Sequence, residues 1–166
     1  MAEVPTSFSE LLAGYGTTSI GDGLRVESVF ALLKVRGEDG SAAWSVRSGG
    51  TTLSAEELLG VLEGLIASMR DRLIKAWKRE PIPATPGAPL GPVSFSDLLA
   101  GMETLGVGDG YLIESVFAVI KARRTDGAPV WCVRSSEMKL GSEERLGALE
   151  GYAATVRRDL ASNWKW

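Results

Sequence analysis

The sequence predicts an α+β fold: an antiparallel sheet built from two tandem β-hairpins, two long helices packed on one face, and a pseudo-two-fold axis relating the halves. Three observations predict it. A hairpin-like stretch from Val26 to Ser48 recurs from Ile113 to Ser135, with Glu-Ser-Val-Phe-Ala near the start of both copies. An amphipathic run follows each copy, and a Pro-rich connection separates the two. Adding 87 to a position between Pro5 and Arg79 gives its counterpart without a gap, as in Phe8 to Phe95, Trp44 to Trp131 and Trp77 to Trp164. The organisation is therefore a first strand-strand-helix repeat over residues 1–79, a linker over 80–93 and a second repeat over 94–166, the two repeats sharing one core. The chain has 166 residues, enough for one domain with a substantial core, whereas half-size units would each be marginal alone.

Each repeat opens with Ser7-Phe-Ser-Glu-Leu-Leu-Ala-Gly14 or Ser94-Phe-Ser-Asp-Leu-Leu-Ala-Gly101. The serine caps a short helical turn that ends at glycine, with Phe8, Leu11 and Leu12 as its buried side. Ile20-Gly-Asp-Gly23 and Val107-Gly-Asp-Gly110 then turn the chain into the first long strand, which starts near Leu24 or Tyr111.

If Asp39-Gly40 fills a two-residue turn, Val35 faces Trp44, Leu33 faces Val46 and Lys34 faces Ser45. One face then carries Val29, Ala31, Leu33, Val35, Trp44 and Val46 and is the core face. The other carries Phe30, Leu32, Lys34, Arg36, Ser45 and Arg47, with Phe117, Val119, Lys121, Arg123, Cys132 and Arg134 in the second half. A different turn length shifts the pairing by one residue and exchanges the second-strand residues between faces.

The long helix begins after Leu53, with Ser54 as N-cap, Glu57 in the capping-box position, and Lys75, Lys78 and Arg79 at its end, where cations suit the helix dipole. Leu59, Leu62, Ile66, Met69, Leu73 and Ala76 recur at steps of three and four, as do Leu146, Leu149, Ala153, Val156 and Leu160. Both helices carry Gly-x-x-x-Gly, at Gly60 and Gly64 and at Gly147 and Gly151. Mid-helix glycine costs on the order of 1 kcal/mol relative to alanine. The expected compensation is close helix-helix contact at these four positions. The linker has no hydrophobic periodicity and, as polyproline II, reaches about 43 Å, enough to return along the preceding helix.

Apolar residues make up 45% and charged residues 23%, with a net charge of −3, as in an ordinary soluble protein. Met1-Ala-Glu-Val-Pro is acidic where a secretory leader is basic and then apolar, so the expected location is cytoplasmic and no membrane is involved. No histidine occurs, which excludes Ser-His-Asp, Cys-His and His-metal chemistry. The single cysteine, Cys132, has Ser45 as counterpart and forms no internal disulfide. It faces Lys121 in the expected register. The glycine-rich passages follow a helical turn and open a strand, the reverse of a phosphate-binding loop. Glu27 and Glu114 lie at matching positions and form the chain's one candidate carboxylate pair, with pairing to neighbouring Arg or Lys as the alternative.

No catalytic residue, cofactor or metal is expected. The function expected is a non-enzymatic protein-binding or adaptor module, acting through the exposed sheet face, the helix groove or the C-terminal Trp164 and Trp166. The alternative is a single-stranded nucleic-acid binder, in which Phe30 and Phe117 are stacking platforms among Lys34, Arg36, Arg47, Lys121, Arg123 and Arg134. The expected partner is another protein, with single-stranded nucleic acid as the alternative, and the pseudo-dimer within one chain leaves room for further homo-oligomerisation.

Overall fold

The computed structural model describes residues 4–51, 53–81, 90–108, 110–136 and 141–163. It is an α+β protein with antiparallel sheets. In chain order the elements are β1 (Pro5–Ser7), α1 (Phe8–Leu11), β2 (Gly16–Thr18), β3 (Arg25–Arg36), β4 (Ala42–Gly50), α2 (Ala55–Trp77), β5 (Pro92–Ser94), α3 (Phe95–Leu98), β6 (Glu103–Leu105), β7 (Leu112–Arg123), β8 (Pro129–Ser135) and α4 (Ser142–Asn163). They divide into two compact units, each drawing on both ends of the sequence: the strands with α1 and α3, and the helices α2 and α4.

In the strand unit a four-stranded sheet runs β4-β3-β7-β8. The long strands β3 and β7 form its centre because their alternating apolar residues supply two hydrophobic faces. Val29, Ala31, Leu33 and Val35 meet Ile113, Val116, Ala118, Ile120 and Ala122 on the face that joins the main core. The alternation placed the β3 residues of this face where they are found. The opposite face carries Phe30, Leu32, Phe117 and Val119, which are 1%, 2%, 3% and 0% exposed, so the centre of the sheet is buried on both sides.

The hairpin turns correct the expected register. Gly37 N–H donates to Ser41 O at 2.9 Å and Gly40 N–H to Gly37 O at 3.0 Å, so three residues, Glu38, Asp39 and Gly40, form the loop. Gly40 alone takes the left-handed conformation, at φ +83°, and Asp39 instead accepts the Ser41 N–H at 2.9 Å. This is the turn followed by a left-handed bulge residue that three-residue hairpins use. Lys34 therefore pairs with Trp44 and Leu33 with Ser45. Trp44 and Val46 move to the face of Phe30 and Leu32, while Ser45 and Arg47 join the face of Val29 and Leu33. The second hairpin closes the same way, with Arg124 N–H on Ala128 O and Gly127 at φ +86°.

Below the main-core face lie α1 and α3, capped as the sequence indicates: Ser7 Oγ accepts Glu10 N–H and Ser94 Oγ accepts Asp97 N–H. Phe8, Leu12, Phe95 and Leu99 are almost wholly buried in that core. The short strands beside these turns pair with each other, β1 with β6 and β2 with β5. Three-residue strands carry no usable periodicity, and the sequence predicts none of these four.

In the helical unit, Ser54 Oγ caps α2 by accepting Glu57 N–H at 3.1 Å. The helices α2 and α4 pack antiparallel, tied by Arg157 to Glu63 at 2.8 Å and by Arg70 to Glu150. The buried positions are Leu62 and Ile66 on α2 and Leu149, Ala153 and Val156 on α4. The expectation for the glycines fails. Gly60, Gly64, Gly147 and Gly151 are exposed, and a Cβ added to any of them meets nothing within 4 Å. They lie away from the buried stripe, so the helix contact is made by the apolar residues and the two ion pairs instead. Among the described residues no helix is long and apolar enough to cross a membrane.

Candidate functional site

The polar chemistry of the strand unit is concentrated at the two ends of the β3–β7 ladder. The regular pairing breaks between Val26 and Ser28 and again between Lys34 and Val35, leaving Glu27 on β3 and Glu114 on β7 as extra residues opposite no partner. Such β-bulges aim a side chain away from the ladder. Glu27 accepts from Arg123 Nε at 2.8 Å, and Glu114 accepts from Arg36 Nε. Each arginine is also anchored to its own hairpin turn, Arg36 Nη1 donating to Gly40 O at 2.6 Å and Arg123 Nη1 to Gly127 O at 2.9 Å.

Both carboxyls are held below the ordinary glutamate range. For Glu27 the hydrogen bond from Arg123 leads, opposed by partial desolvation, with attraction to Arg123, Lys121 and Arg25 adding to it. For Glu114 the hydrogen bond from Arg36 leads, opposed in the same way, and the attracting cations are Arg36 and Lys34. Seven residues or so of extended strand separate the two bulges, roughly 24 Å at about 3.4 Å per residue. Glu27 and Glu114 are thus two separate ion-pair partners, and a shared-proton carboxylate pair does not form.

The expected basic surface is distributed differently from the sequence reading. Phe30 and Phe117 are buried, so neither presents an open ring face. Arg47 spends its guanidinium on carbonyls, donating to Leu105 O at 3.0 Å, Gly106 O at 2.9 Å and Val46 O at 2.8 Å. Arg134 does the same to Thr18 O and Ser19 O, each at 2.9 Å, and to Val133 O at 2.7 Å. These two residues lie on the main-core side of the outer strands, opposite to Lys34 and Lys121, and clasp the chain that leads into each long strand. Lys121 sits over the Trp131 ring, 5.7 Å from its centre, directly across the ladder, and Lys34 is the cross-strand partner of Trp44. Cys132 pairs with Ile120 and packs on the main core, away from Lys121. Trp44 and Trp131, expected as core, are half-buried. Trp164 and Trp166 lie outside the described residues.

Sequence reasoning missed Arg25 and Arg124. With Arg123 they line an open concavity of about 440 Å³ that also takes in Gly23, Leu24, Thr125 and Gly127. A second open concavity, about 560 Å³, lies at Gly14, Tyr15, Gly16, Pro92, Val93, Ser94 and Asp97. Charge at the ends of the long strands was the available signal for the first. Among the described residues no three potential metal ligands converge. No family model matches the chain, and neither a curated protein nor a solved structure matches it.

Proposed function

We propose that this chain is a non-enzymatic protein-binding module, an adaptor made by duplicating one strand-strand-helix unit and pairing the copies about a pseudo-two-fold axis. The duplication is supported by bonds that recur with each partner displaced by 87 residues. Ser9 Oγ donates to Ser96 O and Ser96 Oγ to Ser9 O. The Arg123–Glu27 and Arg36–Glu114 pairs are related in this way, as are the Arg157–Glu63 and Arg70–Glu150 pairs. A cytoplasmic setting belongs to the same reading.

The observation that carries the binding role is the outer edge of β4. This strand is nine residues long, its first five residues Ala42-Ala-Trp-Ser-Val46 contain no charge and no proline, and among the described residues its outer side pairs with no other strand. The other edge, β8, starts at Pro129 and has Ser135 O taken by Thr17 Oγ1. Edges of the β4 kind recruit an extended segment of another chain unless something blunts them. Because Gly37 N–H bonds Ser41 O, the alternation of the ladder turns the N–H groups of Ala43 and Ser45 towards β3 and those of Trp44 and Val46 outwards. An extended peptide from a partner protein would bond to the outward pair.

The test is a display selection of random peptides on the full chain, followed by amide exchange of the complex. Slowed exchange at Trp44 and Val46, with binding lost in Val46→Pro, is the expected result, since an edge strand tolerates proline where no ladder bond is needed. Peptides that bind Val46→Pro equally well would remove the edge from the account. The single-stranded nucleic-acid reading has less support, because Phe30 and Phe117 are buried and four of its arginines are already bonded. No salt-sensitive anisotropy change with a labelled oligonucleotide is expected on the Lys34 and Lys121 face.

A further inference from the structure

Arg25 stands directly across from Arg123 in the β3–β7 ladder, and Arg124 follows immediately. Like charges in facing positions are unfavourable on a sheet, so a third charge is needed to hold them together. Glu27 supplies one, through its bond to Arg123. Arg25 and Arg124 are exposed and line the same concavity, whose lining, among the described residues, contains no acidic side chain. The rim glycines, Gly23 and Gly127, have only open space where a side chain would begin. At the opposite end of the ladder the position facing Arg36 is Leu112, and no such cluster forms.

We propose that this concavity binds a small phosphate-bearing ligand, a phosphomonoester or free phosphate, between Arg25 and Arg124. Once Glu27 has neutralised Arg123, the lining itself keeps two positive charges, Arg25 and Arg124, which favours a dianion over a monocarboxylate. Guanidinium groups suit this ligand because their planar fork donates two parallel hydrogen bonds to oxyanion oxygens. A volume of about 440 Å³ exceeds one phosphate group and leaves room for the body of a small ester. This site is separate from the β4 edge, and neither reading depends on the other.

Glycerol 2-phosphate, sulfate, glutarate and a short single-stranded oligonucleotide are titrated into the full chain at low ionic strength, with chloride matching the ionic strength. The readout is the ¹⁵N spectrum of arginine Nε and backbone amides. Saturable shifts at Arg25, Arg124 and the Gly23 and Gly127 amides are expected with glycerol 2-phosphate. Affinity falls at least about tenfold in Arg25→Gln/Arg124→Gln, the loss of a charge-assisted contact, while the melting temperature stays put because both side chains are exposed. Arg25→Gln alone serves if the double variant melts early. Phosphomonoester binding strengthens from pH 5 to pH 7 as the ester takes its second charge near pH 6, whereas sulfate binding stays level. The chain has no histidine, and the acids in and beside this end of the ladder are Asp22, Glu27 and Asp126. Equal shifts with chloride, equal affinity for glutarate, unchanged affinity in the variants or a flat pH profile would each overturn the proposal. Oligonucleotide binding without glycerol 2-phosphate binding would assign the groove to a polymer and overturn it as well.

Discussion

The two ends of the β3–β7 ladder have the same bulge and the same arginine–glutamate pair, yet they are finished with different materials. At the Glu27 end the flanking strand β4 closes on Gly49 and Gly50. Thr51 N–H donates to Glu27 O at 3.0 Å, and Ser28 Oγ donates to Thr51 O at 2.6 Å. At the Glu114 end the flank is Ser136, whose N–H donates to Val116 O at 2.9 Å and whose Oγ accepts Val116 N–H at 3.1 Å. One end is sealed by bringing backbone close to a ring, the other by hydrogen bonding through a side chain. The strand interiors are interchangeable in character. The ends are where the two halves differ, and that is where their chemistry diverges.

The largest effect that separates the ends is expected at Gly49. A Cβ there would stand 2.6 Å from Phe8 Cε2 and 2.7 Å from Glu103 O, neither of which can swing aside as a flexible side chain would. Gly49→Ala should cost about 2 kcal/mol, as overpacking does, and lower the melting temperature by about 4–8 °C. Ser136→Ala removes a hydroxyl and leaves Val116 N–H without that acceptor, a loss of about 1 kcal/mol by urea titration. Equal losses at the two sites would mean the ends are sealed alike and would break the comparison. A glycine remote from both ends supplies the baseline. Gly64→Ala has open space around it, so thermal melting should show a gain of about 1 kcal/mol.

Smaller effects sharpen the electrostatic side. Both glutamates have folded values below their unfolded ones, so each ion pair contributes above the unfolded carboxyl value, near 4.3, and the contribution disappears as pH falls through the depressed value. Glu27→Gln and Glu114→Gln should therefore destabilise at pH 7 and match the parent protein once both carboxyls are protonated. Glu27→Gln should lose more, because it leaves Arg25, Lys121 and Arg123 together where Glu114→Gln leaves Lys34 and Arg36. Urea midpoints measured across the acid range give the answer; a loss that persists in strong acid would mean the side chains act by packing. Leu112→Arg sets an arginine against Arg36 and reproduces the like-charge pair at the second end. Its expected cost is about 0.5 kcal/mol at low ionic strength, shrinking as salt is added.

The helices were legible because capping and a three-four apolar period are local signals, and Ser54 with Glu57 marks the start of α2 without reference to anything distant. The β3 face was legible for the same reason, at period two. The turn was not: Glu38-Asp39-Gly40-Ser41 suits both a two-residue and a three-residue loop, since each wants glycine at Gly40, and the choice reassigns every side chain of β4. The bulges left a faint trace, in that Val26 and Val29, like Ile113 and Val116, are spaced by three where alternation asks for two. Gly60 and Gly64 misled because the same spacing marks close packing and an exposed face alike. For the basic set, residue type located the cations but could not tell Arg47 and Arg134, reaching back to carbonyls, from Arg25 and Arg124 at an open groove.

Each bulge also fixes where the chain can change length. Glu27 and Glu114 are residues the β3–β7 ladder does not count: removing either would bring Val26 next to Ser28, or Ile113 next to Ser115, with every other β3–β7 pair kept, at the cost of the bonds that Thr51 and Arg123, or Arg36, make to the lost residue. Removing any residue between Ser28 and Lys34 would instead turn the remainder of β3 over, sending Phe30 or Leu32 to the side of Val29 and exposing the mismatch along the whole ladder. Within the two long strands there are thus two positions, one near each end, where the loss of a single residue leaves the pairing of the strand interior unchanged.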